Sequence, residues 1–208
     1  MKSLEDIRLY CFSPGKYLQG RDPVEIVDAQ IMAGADVIQL REKEICKRDL
    51  LEMGFKLRGL TRSRDVLFIV NDDVDLALIL DADGVHLGQD DIPVQFARTL
   101  LKDKIIGIST HSLEQVRNAI NSGADYIGVG PVFETNTKKN REKLTGLGLL
   151  SKVKEISPIP FIAIGGINLA NIDSLVKTGC RRAAIISDIM LSPDIGERCK
   201  VLRNHLLY

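Results

Sequence analysis

The chain has 208 residues, 45% of them hydrophobic, with 28 basic and 28 acidic side chains and no tryptophan. That is enough chain for one sizeable core, in the composition of a soluble globular protein. The balanced charge sets up no global field that would recruit nucleic acid or an anionic membrane, so electrostatic recognition must come from local clusters.

The opening residues, MKSLEDIRLY, carry acids and no long apolar stretch, so they do not read as a signal peptide. No apolar run approaches the roughly 18 residues of a membrane span. A cytoplasmic location is expected. The four cysteines, Cys11, Cys46, Cys180 and Cys199, form no C-x-x-C pair. Cys11 and Cys180 sit in or beside apolar segments and read as small core residues, so neither a disulfide framework nor a zinc site is expected.

Short runs rich in Ile and Val recur along the chain, at 7–13, 36–42, 66–72, 84–88, 105–110, 126–132, 161–167 and 183–189. Each has the length and composition of a strand buried on both faces. The intervening segments have helical spacing: Val24, Val27 and Ile31; Leu113, Val116 and Ile120; Leu169, Ile172 and Val176. Ser112 with Gln115 makes a capping box, and Gly34, Gly123 and Gly179 stand just past helix ends. The phrases AGADVIQL, SGADYIGV and TGCRRAAII repeat one order of helix, glycine stop and buried strand. Eight alternating units predict a (β/α)8 barrel, read as one domain over 1–208. A doubly wound open sheet needs a topological switch point and usually has fewer strands.

In such a barrel the loops after the strands carry the chemistry. The second run ends in QLREK, which puts Gln39, Arg41 and Lys43 on one face. The third ends in Asn71, Asp72 and Asp73, and the fourth in Gln89, Asp90 and Asp91. Asp72 and Asp91 follow neighbouring strands, so their carboxylates can converge. Either acid alone reads as a solvated rim residue. Together, opposite Arg41, Lys43 and Lys138, they suit a hard cation such as Mg²⁺ that shares a phosphate ligand. Arg41 and Lys43 can bind phosphate, and each can equally form an ion pair with Glu42 or Asp72.

The loop after the sixth run holds Thr135, Asn136, Thr137 and Lys138, either a binding loop or an ordinary polar one. Gly165 and Gly166, with Ser187 after the eighth run, occupy the usual phosphate position of a barrel. Two separate anion sites are therefore expected. His86 reads as a packed barrel residue, His111 as part of a helix start, and His205 has no role.

The ordered set QLREK, VNDDVDLA, DADGVHLGQDD, GIST, ADYIGVGPVFETNTKK, IAIGGI and IISDI resembles the thiamine phosphate synthase family along nearly the whole chain. The resemblance implies an Mg²⁺-assisted transferase in which a pyrimidine diphosphate loses pyrophosphate dissociatively and a thiazole phosphate nitrogen attacks the methylene carbon. It implies that Gln39, Arg41, Lys43, Asn71 and Lys138 hold the pyrimidine diphosphate and that Asp72 and Asp91 hold Mg²⁺. Ser109 or Thr110 would meet the pyrophosphate. Thr135, Asn136, Thr137, Gly166, Ile186 and Ser187 would line the thiazole phosphate site. Arg41, Lys43, Ser109 and Lys138 would serve the chemical step. The implied partners are these two small molecules, with no nucleic acid and no membrane; self-association is left open.

The chain departs from the family pattern at Ser13 and Pro14, at Glu134, and at Arg181 and Arg182. A thiazole tautomerase of the same superfamily is disfavoured, because the diphosphate-binding set is kept and Pro131 stands where that enzyme places a histidine. A silent phosphate sensor would not need the metal carboxylates and the cations together.

Overall fold

Each apolar run becomes a strand in the computed structural model, which describes residues 3–135 and 144–207. The strands are β1 (Leu9–Phe12), β2 (Val37–Leu40), β3 (Leu67–Asn71), β4 (Gly84–Leu87), β5 (Ile105–Thr110), β6 (Tyr126–Val129), β7 (Phe161–Ile164) and β8 (Ala183–Ala184). All pair in parallel with their neighbours, and β8 returns to β1 to close the barrel. The helices are α1 (Pro23–Met32), α2 (Lys47–Ser63), α3 (Val74–Ile79), α4 (Val94–Leu101), α5 (Leu113–Asn121), α6 (Gly146–Ile156), α7 (Ile172–Lys177), α8 (Ser187–Met190) and α9 (Ile195–Leu207). The expected (β/α)8 barrel is what forms. None of the described helices is long and apolar enough to cross a membrane.

The strands are near-continuous apolar runs because both faces are covered. One set of side chains, including Tyr10, Phe12, Val37, Leu67, Ile69 and Tyr126, fills the barrel interior. The alternate set, including Leu9, Cys11, Ile38, Phe68, Val70 and Ile127, packs under the helices. Period-2 alternation sorts the residues of each strand between these two cores.

The caps behave as the sequence implies, with two adjustments. Ser112 Oγ accepts the Gln115 N–H, but the Gln115 side chain reaches back to the N–H of His111 instead of that of Ser112. Gly34, Gly123 and Gly179 all take left-handed φ just past their helices. Leu169, by contrast, is 38% exposed and precedes α7, so the apolar stripe of that helix begins at Ile172.

The repeated Ala-Asp before the even strands has a clear physical role. Asp36 Oδ2 accepts the N–H groups of Arg8 and Leu9 at 2.7 and 3.0 Å. Asp83 Oδ2 accepts from Phe68 N–H at 2.8 Å, and Asp125 Oδ2 from Ile106 N–H at 2.7 Å. Each carboxylate also meets an arginine from an outer helix: Arg203 for Asp36, Arg58 for Asp83 and Arg98 for Asp125. One side chain thus ties an odd strand, an even strand and a helix together at the N-terminal end of the barrel. Before β8 the position is Arg182, whose guanidinium turns outward to Glu5 at 2.7 Å.

These three ties differ in burial, which sets an expected order of stability losses. The Arg58–Asp83 side chains are only 12% and 14% exposed, whereas Arg98 and Asp125 are 31% and 38% exposed. Asp83→Ala leaves a buried guanidinium unpaired and should destabilise the fold by about 3 kcal/mol. Asp125→Ala should lose clearly less, on the order of 1 kcal/mol. Urea unfolding of the two variants beside the parent checks the order.

Candidate active site

A cavity of about 940 Å³ opens at the end of the barrel where the strands finish. Gln39, Arg41, Asn71, Ser109, Thr135, Gly165, Gly166, Ile186 and Ser187 line it, as the sequence leads one to expect. Tyr10, Phe12, Ile162 and Ala184 from the barrel interior form its floor.

The β2–β4 side carries the charge. Ser13 Oγ accepts the Arg41 N–H at 2.8 Å, so the unusual serine after β1 pins the backbone that presents the Arg41 guanidinium. Burial pulls the affinity of Arg41 for its proton down, while Asp72 and Glu42 push it back up. Glu42 itself accepts the N–H of Gly15 at 2.9 Å, and Lys43 lies 3.4 Å from Asp72. Of the ion pairs open to these cations, Lys43–Asp72 is the one that forms, and Lys43 stays 58% exposed in it.

Asp72 sits at φ +63°, a left-handed conformation that its N–H bond to His86 O helps to hold. That turn sets its carboxylate close enough to Asp91 for the two to interact. Asp91 is fixed in turn by the Gly88 N–H at 2.7 Å. Burial first, and then the Asp91 carboxylate, push the Asp72 carboxyl above its usual range, and Lys43 only partly offsets this. Two carboxylates in contact favour a shared proton or a cation between them. Two oxygen donors with neighbouring amides fit a hard divalent ion that takes its other ligands from water or phosphate. Among the described residues no group of three or more His, Cys, Asp or Glu side chains gathers, here or elsewhere, so Asp72 and Asp91 stand as a pair.

The floor was not legible from the motifs. His86 lies within β4 as expected, yet it lines the cavity and bonds at both ring nitrogens, to Tyr126 Oη at 2.8 Å and to Ser109 Oγ at 2.9 Å. Tyr126 Oη meets Tyr10 Oη at 3.1 Å, and Gln39 Nε2 donates to Tyr10 Oη at 2.8 Å. The available signal was a pair of interior glycines. A Cβ on Gly107 would lie 2.1 Å from Tyr126 Cζ, and one on Gly128 would lie 3.3 Å from His86 Cε1.

Thr110 is a correction. Its side chain is buried and donates to Gly128 O at 3.0 Å, so it serves the β5–β6 pairing, and Ser109 is the residue that faces the cavity.

On the β7–β8 side, Gly165 and Gly166 both have left-handed φ. The close approach that excludes a side chain there comes from the chain's own loop: a Cβ on Gly165 would lie 2.6 Å from Pro131 Cα, and one on Gly166 2.3 Å from Glu134 O. Ser187 opens the short α8. Arg198 from α9, held by Asp188 at 2.8 Å, adds a cation to the same lip. No local motif marked Arg198, because it comes from the last helix. Asn136, Thr137 and Lys138 lie outside the described residues.

With this geometry in hand, the thiamine monophosphate synthase family model matches residues 9–189. The chain belongs to the thiamine monophosphate synthase family. A thiamine-phosphate synthase of Pelotomaculum thermopropionicum is 46% identical over 204 residues, covering 98% of this chain and 94% of that protein. One from Halalkalibacterium halodurans is 42% identical over 199 residues, covering 95% and 94%. The solved thiamine phosphate pyrophosphorylase of Pyrococcus furiosus superposes with a TM-score of 0.90 at 39% identity, covering 98% of this chain and 97% of that one. The family resemblance, the barrel and the transferase class expected from the sequence are all borne out. At 14% identity, a 3-hexulose-6-phosphate synthase of Salmonella typhimurium shares only the fold, with a TM-score of 0.72.

The Asp72–Asp91 contact has a sign-definite consequence. A carboxyl whose folded value is raised weakens the fold as pH rises through the window above its ordinary value of 3.8, because the native state then binds the proton more tightly than the unfolded one. Asp72→Asn keeps a residue that tolerates left-handed φ and removes the repulsion. Without divalent metal at pH 7 it should melt slightly above the parent, by no more than about 1 kcal/mol for this part-exposed group. The gap should close near pH 3. Thermal melts at the two pH values measure it.

Proposed function

We propose that this chain condenses 4-amino-2-methyl-5-(diphosphooxymethyl)pyrimidine with 4-methyl-5-(2-phosphooxyethyl)thiazole, giving thiamine phosphate and pyrophosphate. The observation that carries the reading is a cavity with two unlike ends: Arg41 and Asn71 beside β2–β3, with the Lys43–Asp72–Asp91 cluster adjoining Arg41 outside the lining, and a glycine, serine and arginine lip beside β7–β8. Family membership supplies the identity of the two substrates.

In this reading Arg41, Lys43 and Lys138 hold the diphosphate, and Gln39 and Asn71 orient the pyrimidine. The C–O bond to the diphosphate breaks, the leaving oxygen takes the electron pair, and the Ser109 hydroxyl and the cations meet the charge that develops. Thr135, Asn136, Thr137, Gly166, Ile186 and Ser187 hold the thiazole phosphate so that its ring nitrogen donates a lone pair to the freed methylene carbon. The apolar and phenolic floor keeps water from competing with that nitrogen. Asp72 and Asp91 would hold Mg²⁺, which supplies charge neutralisation for the diphosphate. We read 1–208 as one catalytic domain working in the cytoplasm, a setting that accords with four unbridged cysteines.

Purified protein, both substrates and Mg²⁺ should give thiamine phosphate, detected by fluorescence after oxidation, and excess EDTA should abolish it. Full activity in chelator would remove the metal assignment.

Ser187→Asp places a negative charge at the β7–β8 lip. It should raise KM for the thiazole phosphate at least about tenfold, the scale of a like-charge contact, and leave the pyrimidine diphosphate KM nearly unchanged. Equal weakening of both substrates would show that the two ends are misassigned.

A further inference from the structure

The row on the cavity floor has a direction. Gln39 Nε2 can only donate, so the Tyr10 oxygen accepts from it at 2.8 Å. The single Tyr10 proton is then free for the Tyr126 oxygen at 3.1 Å, and the Tyr126 proton for His86 Nδ1 at 2.8 Å. A neutral imidazole that accepts at Nδ1 carries its proton on Nε2, which donates to Ser109 Oγ at 2.9 Å. The Ser109 proton is left for the cavity.

The surroundings keep this arrangement in place. Burial pushes both the Tyr10 and the Tyr126 phenol well above the usual range, so neither gives up its proton at neutral pH. The two tyrosines are 2% and 1% exposed, buried at the bottom of the cavity they line. Gly107 leaves room for the Tyr126 ring that no other residue would leave. Reversing the row would either turn the Gln39 amide over or make the Tyr10 oxygen accept twice, which leaves the buried Tyr10 proton bonded to neither Gln39 nor Tyr126. Ser109 would then spend its proton on His86 and turn lone pairs towards the ligand.

We propose that Tyr126 and His86 are positioning residues that orient the Ser109 hydroxyl as a donor towards the departing diphosphate. This rests on the proposed reaction for its consequence, because a donor stabilises oxygens that gain negative charge and a lone pair repels them. Tyr126 acts through His86, to which its hydroxyl is bonded at 2.8 Å. The direction of the row itself depends on the barrel alone.

Two measurements test it. Nitrogen-15 spectra of histidine-labelled protein, with the His86 signals assigned by their loss in His86→Gln, should show Nδ1 without a proton and Nε2 with one. That readout needs no turnover, so it stands apart from the identity of the reaction. Tyr126→Phe removes the hydroxyl and keeps the ring. It should lower kcat at least about tenfold, the lower edge of what a misaligned donor loses, with the pyrimidine diphosphate KM changed no more than about twofold. Tyr10→Phe leaves the Tyr126–His86 link intact and should lose clearly less. A proton on Nδ1 in the parent, or Tyr126→Phe with parental kcat, overturns the proposal. Equal losses in the two tyrosine variants would also overturn it, since they would point to packing alone. If Tyr126→Phe does not fold, the parent spectrum decides.

Discussion

Everything at the mouth of this barrel depends on three carboxylates at its opposite end, from the fully buried Asp36 to the part-exposed Asp125. Asp36, Asp83 and Asp125 each accept the main-chain N–H at the start of the preceding odd strand while standing at the start of an even one. Slipping by one residue would swap side chains between the two cores, and it would also strip these carboxylates of their main-chain partners. The arginines from α2, α4 and α9 make the same carboxylates hold the outer helices in step. With the strand starts pinned, the strand ends, where Arg41, Asn71 and Ser109 sit, are held in mutual register about one strand length away.

The cavity built on that register separates its charges. The two ends carry Arg41 and Arg198, and the floor between them offers phenols, an imidazole and apolar side chains. Such a division suits chemistry in which a diphosphate leaves at one end while a phosphate-bearing nucleophile is held at the other. A charged floor would compete for either anion. A floor of hydroxyls linked in one row is polar without being mobile, because both phenol oxygens and both imidazole nitrogens are already hydrogen-bonded.

Strain gathers at the same end. Asp72 takes a left-handed backbone, its carboxylate is held against Asp91, and Arg41 is partly buried beside them. Each feature opposes folding in isolation, and each makes sense if an anion and a cation are to enter. The glycines after β7 show a different logic. Their missing side chains make room for Pro131 and Glu134 of the β6 loop, so the glycine lip is shaped first by packing and only then offered to a ligand.

Sequence alone carried the architecture and the charged ends. Strands buried on both faces must be continuous Ile and Val runs, glycine must follow the helices, and catalytic loops must follow strands, so spacing sufficed to place Arg41, Lys43, Asn71, Asp72, Asp91 and Ser187. The choice between Ser109 and Thr110 was not legible, because adjacent strand residues face opposite ways and only the β5–β6 register shows which one turns inward. Tyr10, His86 and Tyr126 are likewise unmarked: they lie on β1, β4 and β6 and meet only when the barrel closes. Arg198 reaches the β7–β8 lip from the last helix for the same reason. What a residue is and how often its kind recurs can be read along the chain; which side chains share one enclosed space is settled by closure of the sheet, since those contacts join residues far apart in sequence.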